Sequence, residues 1–164
     1  MTTDELLFLP PDDIDYASLG DQRLLSLATQ RDEPFIATNA LTELRMRSAE
    51  EARVAARLLV RDQSTDRHLR ALAVTTLFDR DVTNELPLLI ETVSSTTDPE
   101  ILSAAVDGVE QEWTTLSGAA AHDLVEALVR QLHVAQPDQF TDTTQWKDFL
   151  ERHAPAGEAV GVTR

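Results

Sequence analysis

The sequence predicts an all-α fold, a short solenoid of helical hairpins, with an irregular all-α bundle as the alternative. Three observations carry this expectation. The first is a pattern of acidic residue, apolar, Ala, apolar, apolar that recurs three times at a spacing of 32 to 33 residues. Glu33 leads Ile36, Ala40, Leu41 and Leu44; Asp66 leads Leu69, Ala73, Val74 and Leu77; Asp98 leads Ile101, Ala105, Val106 and Val109. A fixed period of this length marks a helical hairpin that cannot bury its apolar face alone and stacks on its neighbours. The second is a set of helix-start signals between the periodic stretches, and the third is the shortness of the connections, which antiparallel neighbours require.

The elements follow in order. Residues 13–32, with Ile14, Leu19, Leu24, Leu25 and Leu27, read as an amino-terminal cap. Glu33-Pro34 opens the first hairpin, 34–46 with 48–61, in which Ser48 and Glu51 have the spacing of a capping box. Ser64 or Thr65 opens the helix of the second hairpin, 66–79, and Thr83 or Asn84 opens its partner, 83–96, which puts Pro87 in the first turn, where a missing donor is tolerated. Asp98 followed by Pro99 is an N-cap with proline at the first helical position, beginning the third hairpin, 99–115 with 118–134. Ser117 opens the second helix of that hairpin and Pro137 ends it. Thr141 or Thr143 begins a last short helix whose Trp146, Phe149 and Leu150 close the stack over 141–153. Residues 1–154 are thus read as a single domain with repeats over 33–134, and 155–164 as a flexible tail without periodicity.

Length and composition bound the function. A chain of 164 residues can bury a sizeable core without staples, and the absence of cysteine excludes a disulfide framework, a thiolate metal site and a cysteine nucleophile. The start, MTTDELLFLPPDD, is acidic where a secretory signal is basic, and no apolar run approaches a membrane span, so a cytoplasmic protein is expected. Net charge is −15, which repels phosphate backbones and disfavours nucleic acid, and favours a basic protein partner steered by charge. The charge is uneven: residues 1–44 carry −7, 45–80 carry +3 and 81–164 carry −11.

The run Asp98-Pro99-Glu100-Ile101 with Ala105, Val106 and Val109 resembles the first helix of a HEAT repeat, of the short variety found in small bacterial proteins. Asp66 to Leu77 repeats it without the proline, and Glu33-Pro34-Phe35-Ile36 repeats it with Glu for Asp. The ankyrin TPLH element and the tetratricopeptide Trp, Leu-Gly and Tyr pattern are missing. The resemblance implies a short right-handed α-solenoid, a scaffold that hosts adaptors, pigment-attachment factors, regulators and immunity proteins, and so leaves the function to be argued from sites. The third unit departs from the register, its second helix starting about 19 residues past Asp98.

Several clusters are candidate sites. Arg53, Arg57 and Arg61, four apart, form one helical stripe that would bind an anion on the inner wall of the solenoid, or else pair with acids such as Glu85, Glu91, Asp13 or Asp15. Asp107, Glu110, Glu112 and Trp113, continued by Asp123 and Glu126, would suit a basic partner, with Trp as anchor and carboxylates steering; otherwise Trp113 packs inward beside Val109 and Leu116. His122-Asp123 resembles the His-Asp pair of all-helical metal phosphohydrolases, which would need His68 and Asp148 as outer ligands; the alternative is a surface pair of His122 with Glu126. Asp12, Asp13 and Asp15 could chelate a cation or form a solvated turn. No Gly-x-Ser-x-Gly elbow and no Gly-rich loop ending in Lys-Ser or Lys-Thr occurs.

These readings point to a non-catalytic module that needs no cofactor or metal and binds another protein. The leading expectation is an immunity or antitoxin-type protein neutralising a basic toxin through its acidic surface. The alternatives are an adaptor that takes a peptide or acidic ligand on its concave face, and a metal-dependent phosphohydrolase.

Overall fold

A computed structural model describes residues 1–155; the reading of 155–164 as a flexible tail lies, apart from Pro155, outside them. The described residues are all-helical, with no strand among them. No helix there is long and apolar enough to cross a membrane. The helices are α1 (Thr3–Leu6), α2 (Asp21–Ala28), α3 (Pro34–Met46), α4 (Glu50–Arg61), α5 (Arg67–Phe78), α6 (Val82–Ser94), α7 (Pro99–Gln111), α8 (Gly118–Val134) and α9 (Thr143–His153), with 3-10 turns at Pro11–Asp13 and Tyr16–Ser18. They fall into two compact units, residues 1–80 and 81–164.

In the first unit, α3 touches α2, α4 and α5, and α4 lies along α5. The core is made by the periodic positions: Ile36, Ala40, Leu41 and Leu44 on α3 and Leu69, Ala73, Val74 and Leu77 on α5 are almost wholly withdrawn from water. Ile14, Leu24 and Leu27 of the amino-terminal cap are buried too, while Leu19 and Leu25 are half-buried. In the second unit, α8 touches α6, α7 and α9, and Ile101, Ala105, Val106 and Val109 of α7 occupy the core as their counterparts do in α3 and α5. The hairpins α3–α4 and α7–α8 each lie within one unit and their helices touch, whereas α5 and α6 belong to different units. Trp146 is buried and its indole N–H donates to Ser103 Oγ at 3.0 Å, which seats α9 on α7.

The helix starts show which cap signals win. Asp98 accepts from the Glu100 and Ile101 backbone N–H groups, with Pro99 first in the helix, as the sequence indicates. Asp66, rather than Ser64 or Thr65, caps α5, accepting from His68 and Leu69 N–H; it directly precedes Arg67, the first helical residue, while Ser64 is turned to Asp62. Asp142 caps α9, so Thr143 is its first residue. Ser117 precedes α8 but makes no capping bond, and the chain enters the helix through Gly118 at φ +85°, a conformation that strains any side chain.

Two further starts correct the sequence reading. Ser48 does not open α4; it closes α3. Its φ is +54°, its N–H donates to Arg45 O at 2.8 Å and the Ala49 N–H donates to Leu44 O at 3.0 Å, a Schellman motif that satisfies carbonyls orphaned at the end of α3. The capping box expected at Ser48 and Glu51 is therefore absent, and one is formed instead by Thr2 and Glu5 at α1. Similarly, α6 begins at Val82, not near Thr83 or Asn84, because Asp81 takes a left-handed conformation at φ +40° that lets Val82 enter the core as the first helical residue. Pro87 thus lies in the helix interior. Its ring is exposed, and the Thr83 carbonyl four residues earlier loses its helical donor.

One side chain fastens the first unit. Arg47, just past α3, uses all five of its N–H donors: Nε to Glu43 Oε1 at 2.8 Å, Nη1 to Leu19 O and Asp21 Oδ1 at 2.7 and 2.8 Å, and Nη2 to Tyr16 O and Ala17 O at 3.1 and 2.9 Å. It joins the end of α3 to the amino-terminal turn and the start of α2. Glu43, then Asp21, hold its guanidinium above its ordinary range. Arg45 makes a fork to Asp79 at 2.7 and 3.0 Å, tying α3 to the end of α5.

Candidate functional site

A cavity of about 830 Å³ lies in the second unit. Its floor is one stripe of α8. Leu124, Leu128 and Leu132 turn into the core, while His122, Val125, Glu126, Val129, Arg130 and His133, spaced three and four apart, line the cavity. Val125 and Val129 form its apolar centre. The α7–α8 turn supplies one wall with Trp113 and Leu116, and the end of α9 supplies another with Arg152, His153 and Pro155.

Trp113 is the exposed edge of this cavity. It is 51 % exposed, so it does not pack inward beside Val109 and Leu116. The reason is its position: α7 ends at Gln111, and Trp113 sits in the following turn, beyond the helical register that would point it at the core. Its only ring neighbour among the described residues is His153, at 4.7 Å between centroids, which in turn lies 4.5 Å from the buried ring of Phe149. Burial in this stack, with the neighbouring Arg152 charge, pushes the His153 imidazole below its ordinary pKa, partly opposed by Glu110.

The acids expected around Trp113 are divided. Asp107 accepts from Gln145 Nε2 and Glu110 pairs with Arg152, so these two carboxylates face α9 and fasten it to α7. Glu112 is half-buried at the end of α7. Asp123 and Glu126 are exposed on α8, and Glu126 stands 3.8 Å from Arg130 one turn on. Of the remaining acids, Glu126 lines the cavity with Trp113, Glu112 precedes Trp113 in the chain, and Asp123 is exposed on α8.

The arginine stripe is less open than its spacing suggests. Arg53 and Arg57 are partly buried, and Arg53 lies 3.7 Å from Glu50 on its own helix. Arg61 is exposed, and its Nη1 donates to Arg57 O at 3.4 Å. Of the acids proposed to pair with the stripe, Glu85 is buried and Glu91, Asp13 and Asp15 are exposed. A second cavity of about 440 Å³ in the first unit is lined by Arg45, Arg53 and Arg80 with Asp79.

His122 and Asp123 are exposed on α8, and His68 and Asp148 are exposed on α5 and α9. Among the described residues no three His, Asp or Glu side chains come together where they could share a metal ion. Asp12, Asp13 and Asp15 lie on exposed turns.

Sequence reasoning did not assemble His133, Arg130, Arg152 and His153 into a site. The α8 half was visible, since 122, 125, 126, 129, 130 and 133 follow helical spacing. The α9 half was not, because only packing on α7 and α8 brings the end of α9 to that stripe. Comparison with protein-family models, with curated proteins and with solved structures gave no match.

Proposed function

We propose that the chain is a non-catalytic protein-binding module, built on HEAT-like solenoid repeats, of the immunity or antitoxin type: its second unit holds a basic toxin, with Trp113 as the anchor and Glu112, Asp123 and Glu126 steering. The observation that carries this is a half-exposed Trp in a unit bearing fifteen acids against four bases. Large aromatic side chains that keep this much surface in water supply interface anchors, and a field of one sign speeds encounter with its opposite. Burial of Ala40, Ala73 and Ala105 at one register in α3, α5 and α7 supports the repeat reading, because small residues at equivalent sites allow close helix approach. Asp107 and Glu110 act within the unit, holding α9.

The test is co-purification from native lysate at about 50 mM salt, followed by a step to about 300 mM, with the retained proteins identified by mass spectrometry. The reading requires a basic protein released by the salt step, lost in Trp113→Ala and in the double variant Asp123→Lys with Glu126→Lys, and whose toxicity on expression is relieved by this chain. A partner retained equally by both variants, or an acidic partner, contradicts it.

A further inference from the structure

The cavity has a property that the protein-binding reading does not use. The second unit carries only four Lys and Arg, of which Arg130, Lys147 and Arg152 are among the described residues, and it holds His122, His133 and His153. Two of those three cations and all three histidines line the one cavity, against a single acid, Glu126. In a unit of charge −11 this is a local reversal of sign. The lining is also amphipathic, with Val125, Val129, Leu116 and the Trp113 ring beside the cationic groups.

We propose that this cavity is a binding site for a small amphipathic carboxylate, an apolar body ending in one acid group. The apolar body lies against Val125, Val129 and Trp113, and the carboxylate meets Arg130 at the rim. Three features select this class. The volume, about 830 Å³, lies in the range of small-molecule sites. The Arg130 side chain is 63 % exposed and its guanidinium meets Glu126 at 3.8 Å, beyond hydrogen-bond length, so its planar fork is available to a carboxylate. Arg152, by contrast, is already held by Glu110 and by Asp148 O, and serves as a fixed positive charge in the wall. A cationic or neutral amphiphile would cover the apolar lining but forgo the pairing with Arg130, and a fully polar anion would leave that lining uncovered. The proposal stands independently of the protein partner: Glu126 repels the carboxylate here but helps the basic partner there, so the two readings predict opposite effects of its removal.

The probe is decanoate, with decyltrimethylammonium as the matched cation, titrated into the full chain by calorimetry and followed by the Trp113 indole and backbone amide signals in nitrogen-edited NMR spectra. Expected is saturable one-to-one binding of decanoate, with the cation at least about tenfold weaker and shifts confined to 113–134 and 152–155. Arg130→Gln should weaken decanoate about tenfold, Glu126→Gln should strengthen it about threefold, and Ala121→Leu, which fills the floor, should abolish it. Circular dichroism verifies that each variant is folded, and Arg130→Gln, at an exposed site, keeps the test valid should Ala121→Leu fail to fold. Absence of binding, equal affinity for the two amphiphiles, unchanged affinity in Arg130→Gln, or shifts centred elsewhere would each overturn the proposal.

Discussion

The two units use their cations in opposite ways. In residues 1–80, fourteen acids meet ten arginines, and the best placed of these are consumed internally: Arg47 fastens α3 to the amino-terminal turn, Arg45 forks onto Asp79, and Arg31 pairs with Asp62. In residues 81–164 fifteen acids meet four bases, yet two of those bases and three histidines converge on a cavity beside an exposed Trp. Charge in the first unit is structural and nearly balanced. In the second it is unbalanced and open to solvent, which is where a free energy of association can be gained.

Perturbations that separate the units sharpen this contrast. The largest effect is expected from Arg47→Ala, which removes five hydrogen bonds, three of them to backbone carbonyls; urea unfolding should show a greater loss of stability than any other single variant proposed for the first unit. Arg47→Lys should recover less than half, because an ammonium cannot reproduce the fork. An unfolding midpoint unchanged in the alanine variant would deny Arg47 its fastening role.

Overpacking should affect both units alike. Ala73 and Ala105 have no exposed surface, so a Leu at either costs about 1 to 3 kcal/mol, whereas Ala119→Leu on the exposed start of α8 should be nearly neutral. If Ala73→Leu and Ala105→Leu melt like the parent protein, the shared register of α5 and α7 is wrong. Smaller and of opposite sign, Ser48→Gly should stabilise the first unit by about 0.5 kcal/mol, since glycine meets no Cβ penalty at positive φ. A destabilised Ser48→Gly would mean that its hydroxyl, rather than its backbone, matters.

The smallest effect is a pH dependence confined to the second unit. The folded state lowers the His153 pKa, chiefly by burial, so the unfolded chain binds more protons in the histidine range. The contribution is therefore complete above the unfolded value of about 6.5 and is lost as pH falls through the folded value. Urea unfolding followed by Trp fluorescence at about pH 7.5 and pH 5.5 should show a larger drop for the parent chain than for His153→Gln. Equal drops would place the titration elsewhere.

Much of the fold was legible, and the misses share a cause. Ala40, Ala73 and Ala105 announce their burial because a helical stripe is a local pattern. The cap at Asp98 is likewise local, whereas Asp66 caps α5 where Ser64 or Thr65 was expected, and Thr2 with Glu5 carried a readable capping box that the sequence reading passed over. Ser48 and Asp81 were misread because residues other than glycine adopt left-handed backbone there under tertiary demand: one closes α3, the other delivers Val82 to the core. Arg47 was invisible because four of its five acceptors lie 26 to 31 residues earlier and three of those are carbonyls. For the site, the exposed Trp was one of two readings offered, while the split of its acids depends on α9 docking against α7, which no local pattern specifies.

The most direct measurement is the association rate of the captured partner with the parent chain, with Asp123→Lys plus Glu126→Lys, and with Arg53→Glu plus Arg57→Glu plus Arg61→Glu, at about 50 and 300 mM salt. The account predicts a rate that falls with salt for the parent chain, falls at least about tenfold at low salt when the α8 acids are reversed, and hardly changes when the arginine stripe is reversed. A rate insensitive to the α8 reversal but collapsed by the arginine reversal would move the interaction to the first unit and contradict the account.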